Sequence, residues 1–330
     1  MIPTVFGAGA LVFFLMRIIP GDICLTRWVD FGTDLSPDTL NFCRQELGLD
    51  KPILNQLWEF FRKTFTLDFG VSMWTGNDMS EEIKLRLALS FQLAFMALSL
   101  TILTAVPLGV VAAYYKGRWQ DYIIQVLSIT GVAIPSFWLG IMVLVGILII
   151  TQKLTGSPWM PPIIFVSPFE NILNNLSQLI IPAIVIALRY IAITQRMTRS
   201  AILEILREDY VLNARAYGLN EFSIMNRYVL RNSSLPIITV LGNEFAFLIG
   251  GLVITEQVFN LNGKGALLLQ SVENADYIVT QNLVVLLALI FATINIIIDL
   301  YLCLFRSACE VQLGFFAPRE RFDEKYQRQS

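Results

Sequence analysis

The amino-acid sequence predicts an all-α integral membrane protein with six transmembrane helices and a structured external loop after the first of them. Three observations carry that prediction. Of 330 residues, 55% are apolar and only 15% are charged; a soluble domain is about 25% charged and needs that charge to meet water. Several apolar runs approach the roughly 20 residues that cross a bilayer as helix. Basic residues gather in the segments between alternate runs, as they do where such segments stay in the cytoplasm.

The first span is expected at 2–19. It has no positively charged stretch ahead of it and no small-residue cleavage site behind it, which argues against a secretory leader. Residues 20–87 follow as an external region with Pro20, Pro37, Pro52, mixed charges, and Trp58, Phe60 and Phe61. A segment that long is expected to have structure of its own. The second and third spans are expected at 88–115 and 121–150, joined by a turn carrying Lys116 and Arg118. Pro158, Pro161, Pro162 and Pro168 mark 153–175 as an irregular external loop. The remaining spans are expected at 177–199, 236–257 and 280–305, and 306–330 is a charged tail. The chain thus divides into a first helix (1–19), an external region (20–87), a membrane core (88–305) with a loop at 200–235, and the tail.

Arginines at 189, 196, 199, 207, 215, 227 and 231, with Arg306, Arg319, Arg321, Lys325 and Arg328 in the tail, place both termini and the 200–235 loop in the cytoplasm. The two shorter external loops carry only Lys153 and Lys264. Loops longer than about 60 residues count little toward orientation, so the first external region is left out of the comparison.

Glu208–Pro236 is the most informative stretch, a charged island with helical pattern between two apolar runs. Ile202, Leu206, Tyr210 and Tyr217 fall on one helical face, with Glu204, Glu208 and Arg215 opposite. Gly218 is expected to end that helix, since glycine accepts the left-handed turn that closes helices. Asn220 is expected to cap a second short helix through Leu230, with Glu221 in its first turn. Pro236 is expected in the first turn of the next span, where its missing N–H is not needed. A loop that only connects is short and needs no two-faced helix, so the pattern points to a docking surface for a partner.

Polar side chains inside spans are costly and mark helix–helix hydrogen bonds or a solute path. Gln92, Gln125, Asn243, Glu244, Asn295 and Asp299 are the candidates. Glu256, near the outer end of the fifth span, is expected to be exposed at the interface. Pro107, Pro135 and Pro182 lie inside spans, where each removes a backbone hydrogen bond and suits either a kinked path or static packing. Gly263-Lys264-Gly265 is not a phosphate loop: Val258 stands where the first glycine belongs, and Gly265 where Ser or Thr belongs. It is expected to be an external turn. The chain has no histidine, the commonest general base and metal ligand. No metal site and no catalytic set is expected. Cys303 and Cys309 read as small apolar filler, and Cys24 and Cys43 share one external region in which their pairing is left open. Net charge is −2 and the basic residues are dispersed, so no nucleic-acid partner is expected.

Asp209-Tyr210-Val211, Ala214-Arg215-Ala216, Gly218-Leu219, Leu230-Arg231-Asn232 and Leu235-Pro236 together resemble the cytoplasmic loop of ABC importer permeases of the dipeptide/oligopeptide/nickel branch. The resemblance runs along the chain through Pro20-Gly21-Asp22, Leu47-Gly48-Leu49-Asp50 with Pro52, and Asp68-Phe69-Gly70 with Ser72. It continues through Ile134-Pro135-Ser136-Phe137-Trp138, Gly250-Gly251 with Val253, Glu256 and Val258-Phe259, and Asn295 with Asp299 and Tyr301. Each motif alone is weak; several in family order are specific. The chain departs from the family at Leu212-Asn213-Ala214, where an acidic residue usually precedes two alanines, and at Arg227-Tyr228, where a histidine is usual. The family also begins with a short basic segment, so a truncated or misassigned start is expected at Met1.

The resemblance implies a type I importer permease fold working by alternating access. It implies a coupling loop built from Glu208, Asp209, Tyr210, Ala214, Arg215, Ala216, Gly218, Leu219, Asn220 and Glu221. Ala214, Ala216 and Gly218 would let the partner surface approach closely. It further implies two separate ABC ATPase subunits that hold ATP and Mg, a second homologous permease subunit, an external solute-binding protein, and residence in the inner or plasma membrane. The solute would be a peptide or a similar small molecule, and the chain itself would bind no cofactor and catalyse no reaction. An ion-driven secondary transporter would need an intramembrane charge pair, and an intramembrane enzyme would need a paired acid, base or nucleophile. Few deep charges and no histidine weigh against both.

Overall fold

Small residues bring the two longest helices together. The computed structural model describes residues 2–18, 24, 37–46, 48–66, 69–72, 74–162 and 165–305. Its first helices are α1 (Ile2–Ile18), α2 (Pro37–Glu46), α3 (Ile53–Phe65) and α4 (Met79–Tyr114). After them come α5 (Trp119–Ala133), α6 (Ser136–Thr155), α7 (Ile172–Ile205) and α8 (Asp209–Ala216). α4 and α7 form the central pair. Ala94 and Ala97 of α4 and Ala183 and Ala187 of α7 are buried in one cluster with Leu89, Leu93, Leu179 and Ile186. Nearer the 200–218 end, a Cβ on Gly109 would stand 2.6 Å from Thr198 Cβ. Small residues matter here because lipid gives no hydrophobic drive between spans, and close approach must supply the attraction.

The chain after α8 forms one long helix, α9 (Glu221–Gly251), then α10 (Val253–Val258), α11 (Lys264–Glu273) and α12 (Tyr277–Phe305). α9 and α1 both pack on α12, α5 packs on α7, and α10 packs on α6 and α11. Five helices are long and apolar enough to cross a membrane: α4, α6, α7, α9 and α12. α1 is a shorter apolar helix, at the low edge of the lengths that span. No strand occurs among the described residues; Val71 and Asp78 form an isolated bridge.

The termini of the long helices follow their capping residues. Asp78 accepts from the Ser80 N–H at 2.8 Å to open α4, and Asn171 accepts from Leu173 and Asn174 to open α7. In each case a side-chain oxygen serves an N–H that has no intrahelical partner. The expected span at 121–150 is corrected: it is two helices, broken at Ile134 and Pro135, both extended. The pre-proline restriction pushes Ile134 out of the helical region, and Pro135 then caps α6. The expected start at Pro236 is corrected as well. α9 runs unbroken through it, with a π-helical turn at Ile224–Val229, and the same helix ends at Gly251 rather than 257.

Among its described residues, the segment after α1 is structured. Phe60 and Phe61 of α3 lie on α1, with Phe6–Phe61 ring centroids 4.8 Å apart and Phe13–Phe60 at 5.9 Å. Arg17, at the end of α1, donates to Gln56 on α3 through Nε at 3.2 Å. Cys24 is fully buried and disulfide-bonded. Cys303 is disulfide-bonded too, which corrects its reading as filler. Cys309, the side chain of Cys43 and the tail lie outside the described residues.

Candidate docking loop and intramembrane polar network

Arg207 and Glu208 interrupt the helix before the loop. α7 ends at Ile205 and α8 begins at Asp209. The break resets the helical phase, so the single face expected from Ile202 to Tyr217 does not form. Ile202, Val211 and Ala214 are buried instead, in a cluster with Ala113 of α4 and Ile224, Met225 and Val229 of α9. α8 is thereby fastened to three of the long helices at once. Tyr210, expected inward, is 40% exposed, and its hydroxyl oxygen accepts from Asn232 Nδ2 at 3.0 Å.

The outer side of the loop is exposed and partly apolar. Tyr217 is 88% and Phe222 75% exposed, and Leu212 and Leu219 stand beside them in the sequence, also exposed. Gly218 has φ +80°, as expected of a left-handed helix end, and a Cβ there would meet nothing within 4 Å. Asn220 accepts from the Ser223 N–H at 2.7 Å and caps the next helix. Arg215 donates from Nε and Nη2 to the two carboxylate oxygens of Glu221 at 2.8 and 3.1 Å, bracing the turn between them. Glu208, Asp209 and Ala216 are exposed, and Ala214 is not, so its smallness serves internal packing.

Most of the polar candidates inside spans bond to neighbouring helices or to their own. Gln92 and Asn175 exchange amide hydrogen bonds between α4 and α7. Glu244 of α9 accepts from the Thr194 hydroxyl of α7 at 2.6 Å. Gln125 donates to Asp121 at 2.8 Å, and Asn295 donates to the Phe291 carbonyl of its own helix. Asn243 and Asp299 are exposed on α9 and α12.

Several contacts had no local signal. Asp121, at the start of α5 and beyond the five spanning helices, accepts from Arg199 Nε and Nη2 at 2.7 and 2.8 Å. It also accepts from the Gly117 N–H at 3.0 Å. The Arg199 guanidinium holds its carboxyl down at about 2. Glu256, expected at the interface, is fully buried. Its carboxylate accepts from the Ser90 hydroxyl at 2.6 Å and from the Gly265 and Ala266 N–H groups at 2.8 and 3.0 Å. Gly263-Lys264-Gly265, expected as an external turn, is therefore the buried start of α11, and Lys264 is 2% exposed. Asp276 accepts from the Ser72 hydroxyl at 2.7 Å, tying the segment before α4 to the start of α12.

No cluster of His, Cys, Asp and Glu able to hold a metal occurs among the described residues. Comparison with known families matches residues 105–307 to "Binding-protein-dependent transport system inner membrane component". Residues 3–80 match the N-terminal component of the same systems. A putative peptide transport system permease protein of Brucella suis is 36% identical over 299 residues, spanning 91% of this chain and 92% of its own. A probable D,D-dipeptide transport system permease of Escherichia coli K12 is 34% identical over 315 residues with the same coverage. A glutathione transport system permease of the same strain is 30% identical over 299 residues, again covering 91% and 92%. The solved inward-facing MetNI methionine ABC transporter matches with TM-score 0.51 and 18% identity, over 69% of this chain and 97% of that one. That likeness is one of fold.

Proposed function

Because this chain belongs to the family of binding-protein-dependent transport system inner membrane components, we propose that its 208–221 loop is the element through which ATPase subunits drive it. The chain is a permease subunit of an ABC importer. The observation that carries the proposal is the two-sided seating of α8. Its inner side, Val211 and Ala214, is packed against α4, α7 and α9. Leu212 on its outer side, Tyr217 and Leu219 in the turn that follows, and Phe222 at the start of α9 are exposed to solvent. An apolar patch outside the spans calls for a partner. A partner pressing on this one would move three long helices together, since a packed core transmits displacement rather than absorbing it.

The same reading places this end of the bundle and both termini in the cytoplasm, and the Asp276 end outside. Two ATPase subunits, a second permease chain and an external binding protein complete the assembly, and the solute is a peptide or a similar small molecule, as the relatives' names suggest for them. Transport then consists of the spans rocking between inward- and outward-open states as the ATPases close on the loop.

Gly218→Asp tests the loop. A side chain at φ +80° opposes the left-handed backbone by roughly 1 kcal/mol, and it puts a charge on a surface that must be desolvated in the complex. Membrane abundance should stay normal, while ATPase association weakens and solute uptake is lost. A stably inserted variant transporting at the wild-type rate would remove the loop from this role.

A further inference from the structure

Arg189 stands midway along α7 (Ile172–Ile205), about 25 Å from either helix end at 1.5 Å per residue. Its side chain is exposed, and among the described residues it makes no ion pair and no hydrogen bond. Of the carboxylates buried near α9 and α10, Glu256 is engaged with Ser90 and the start of α11, and Glu244 accepts from Thr194 through Oε2 while its Oε1 has no hydrogen-bond partner; neither makes an ion pair with Arg189. A guanidinium at that depth cannot face lipid without a large cost, so it faces water or an anion.

The surroundings of Arg189 fit the first of these. With Tyr190, Ser136, Thr255 and Gly251 it lines a small cleft. Two interruptions of helix meet there. Ser136 opens α6 just after the extended pair Ile134 and Pro135, and Gly251 closes α9 before α10. Broken helices at membrane depth are tolerated where they line a polar cavity, and they mark solute sites in other transport folds. A Cβ on Gly250 or Gly251 would meet nothing within 4 Å, so the backbone on this side is open.

We propose that Arg189 is a solute-contacting residue of the translocation path, and that it receives the carboxylate of a passing peptide. The inference rests on the peptide-importer reading above. Guanidinium and carboxylate match in a two-bonded geometry that lysine reproduces only as a point charge. An arginine that no protein carboxylate holds would guide a carboxylate-bearing solute without retaining it.

The full complex, with its ATPases and binding protein in proteoliposomes, provides the test, using labelled dialanine as probe. Arg189→Gln should lower uptake about tenfold to a hundredfold, the usual size of a lost charge-assisted hydrogen bond. Arg189→Lys should recover part of it. ATPase stimulation by the loaded binding protein should stay within about twofold of wild type, because neither loop docking nor assembly uses Arg189. Unchanged uptake by Arg189→Gln would overturn the proposal. So would parallel loss of assembly and ATPase stimulation, which would pair Arg189 with the second permease chain instead. A second readout does not depend on the solute. In Arg189→Cys the new thiol should react with a water-soluble anionic thiosulfonate, and an unreactive thiol overturns the proposal. If the wild-type complex fails to import dialanine while that thiol is reactive, the peptide assignment falls and the aqueous position of residue 189 stands.

Discussion

Asp121 receives donors from Arg199, Gly117 and Gln125 and is 2% exposed. Arg199 is 22% exposed. Removing the charge leaves an arginine without its partner at a half-enclosed site. Asp121→Asn is expected to cost about 2–3 kcal/mol, below the 3–5 typical of a fully enclosed pair because water still reaches Arg199. The loss is read as a lower thermal midpoint of the purified complex in detergent. The pH dependence has a definite sign. The folded carboxyl titrates at about 2, below the ordinary value near 3.9. Its contribution is therefore complete above about pH 4 and is lost as pH falls toward 2. Wild type and variant should differ by a constant amount between pH 5 and 8. A gap that closes within that range would show that some other group carries the effect.

At the scale of elements, α10 and α11 form a hairpin held to α4 by one carboxylate. Glu256 ties Ser90 of α4 to the first N–H groups of α11, an anion placed where the helix dipole favours it. The glycines around it have no room. A Cβ on Gly265 would stand 2.6 Å from Val253 Cα and 2.9 Å from its N, both backbone atoms that cannot rotate away. Gly265→Ala is expected to displace the hairpin at a cost at or above the 1–3 kcal/mol of ordinary overpacking. Limited proteolysis should then cut within 252–276. Gly146→Ala, within α6 where a Cβ meets nothing within 4 Å, is the control and should leave the digest unchanged. Equal behaviour of the two variants would mean the hairpin is not clamped at Gly265.

The elements differ in how much of them was legible beforehand. Asn220 and Gly218 behave as their residue types suggest, because a cap and a left-handed turn depend on a few adjacent backbone groups. Pro236 did not, since tertiary packing carries α9 through it. Glu256 and Ser90 lie 166 residues apart, and Asp121 and Arg199 lie 78 apart. Such pairs follow from which helices become neighbours, and no local pattern encodes that. Arg189 is the most telling case. Counted by charge it joins the basic residues of the loop, although the expected span at 177–199 already encloses it, and α7 sets it midway along its length. A count of charges cannot distinguish those two positions, because helix length decides the depth.

For the whole molecule, orientation follows from charge distribution and can be tested directly. Trp58 on α3 is 73% exposed and Ser157 lies exposed after α6, both toward the side expected outside. Arg207 is exposed between α7 and α8, at the opposite end. In a background lacking the native cysteines, single introduced thiols report their own position. Trp58→Cys and Ser157→Cys should react with a membrane-impermeant maleimide in intact spheroplasts, and Arg207→Cys only after the membrane is opened. The expectation is firm on physical grounds. Moving the arginines at 199, 207, 215, 227 and 231 across a bilayer would oppose both the membrane potential and the insertion bias that retains basic loops. The outcome also bears on every role assigned above, because the same inversion would put the Tyr217 and Phe222 patch outside, where no ATP-driven partner exists. Labelling of residue 207 in sealed spheroplasts would overturn the orientation and the docking role together, while leaving Arg189 at the same depth in its cleft.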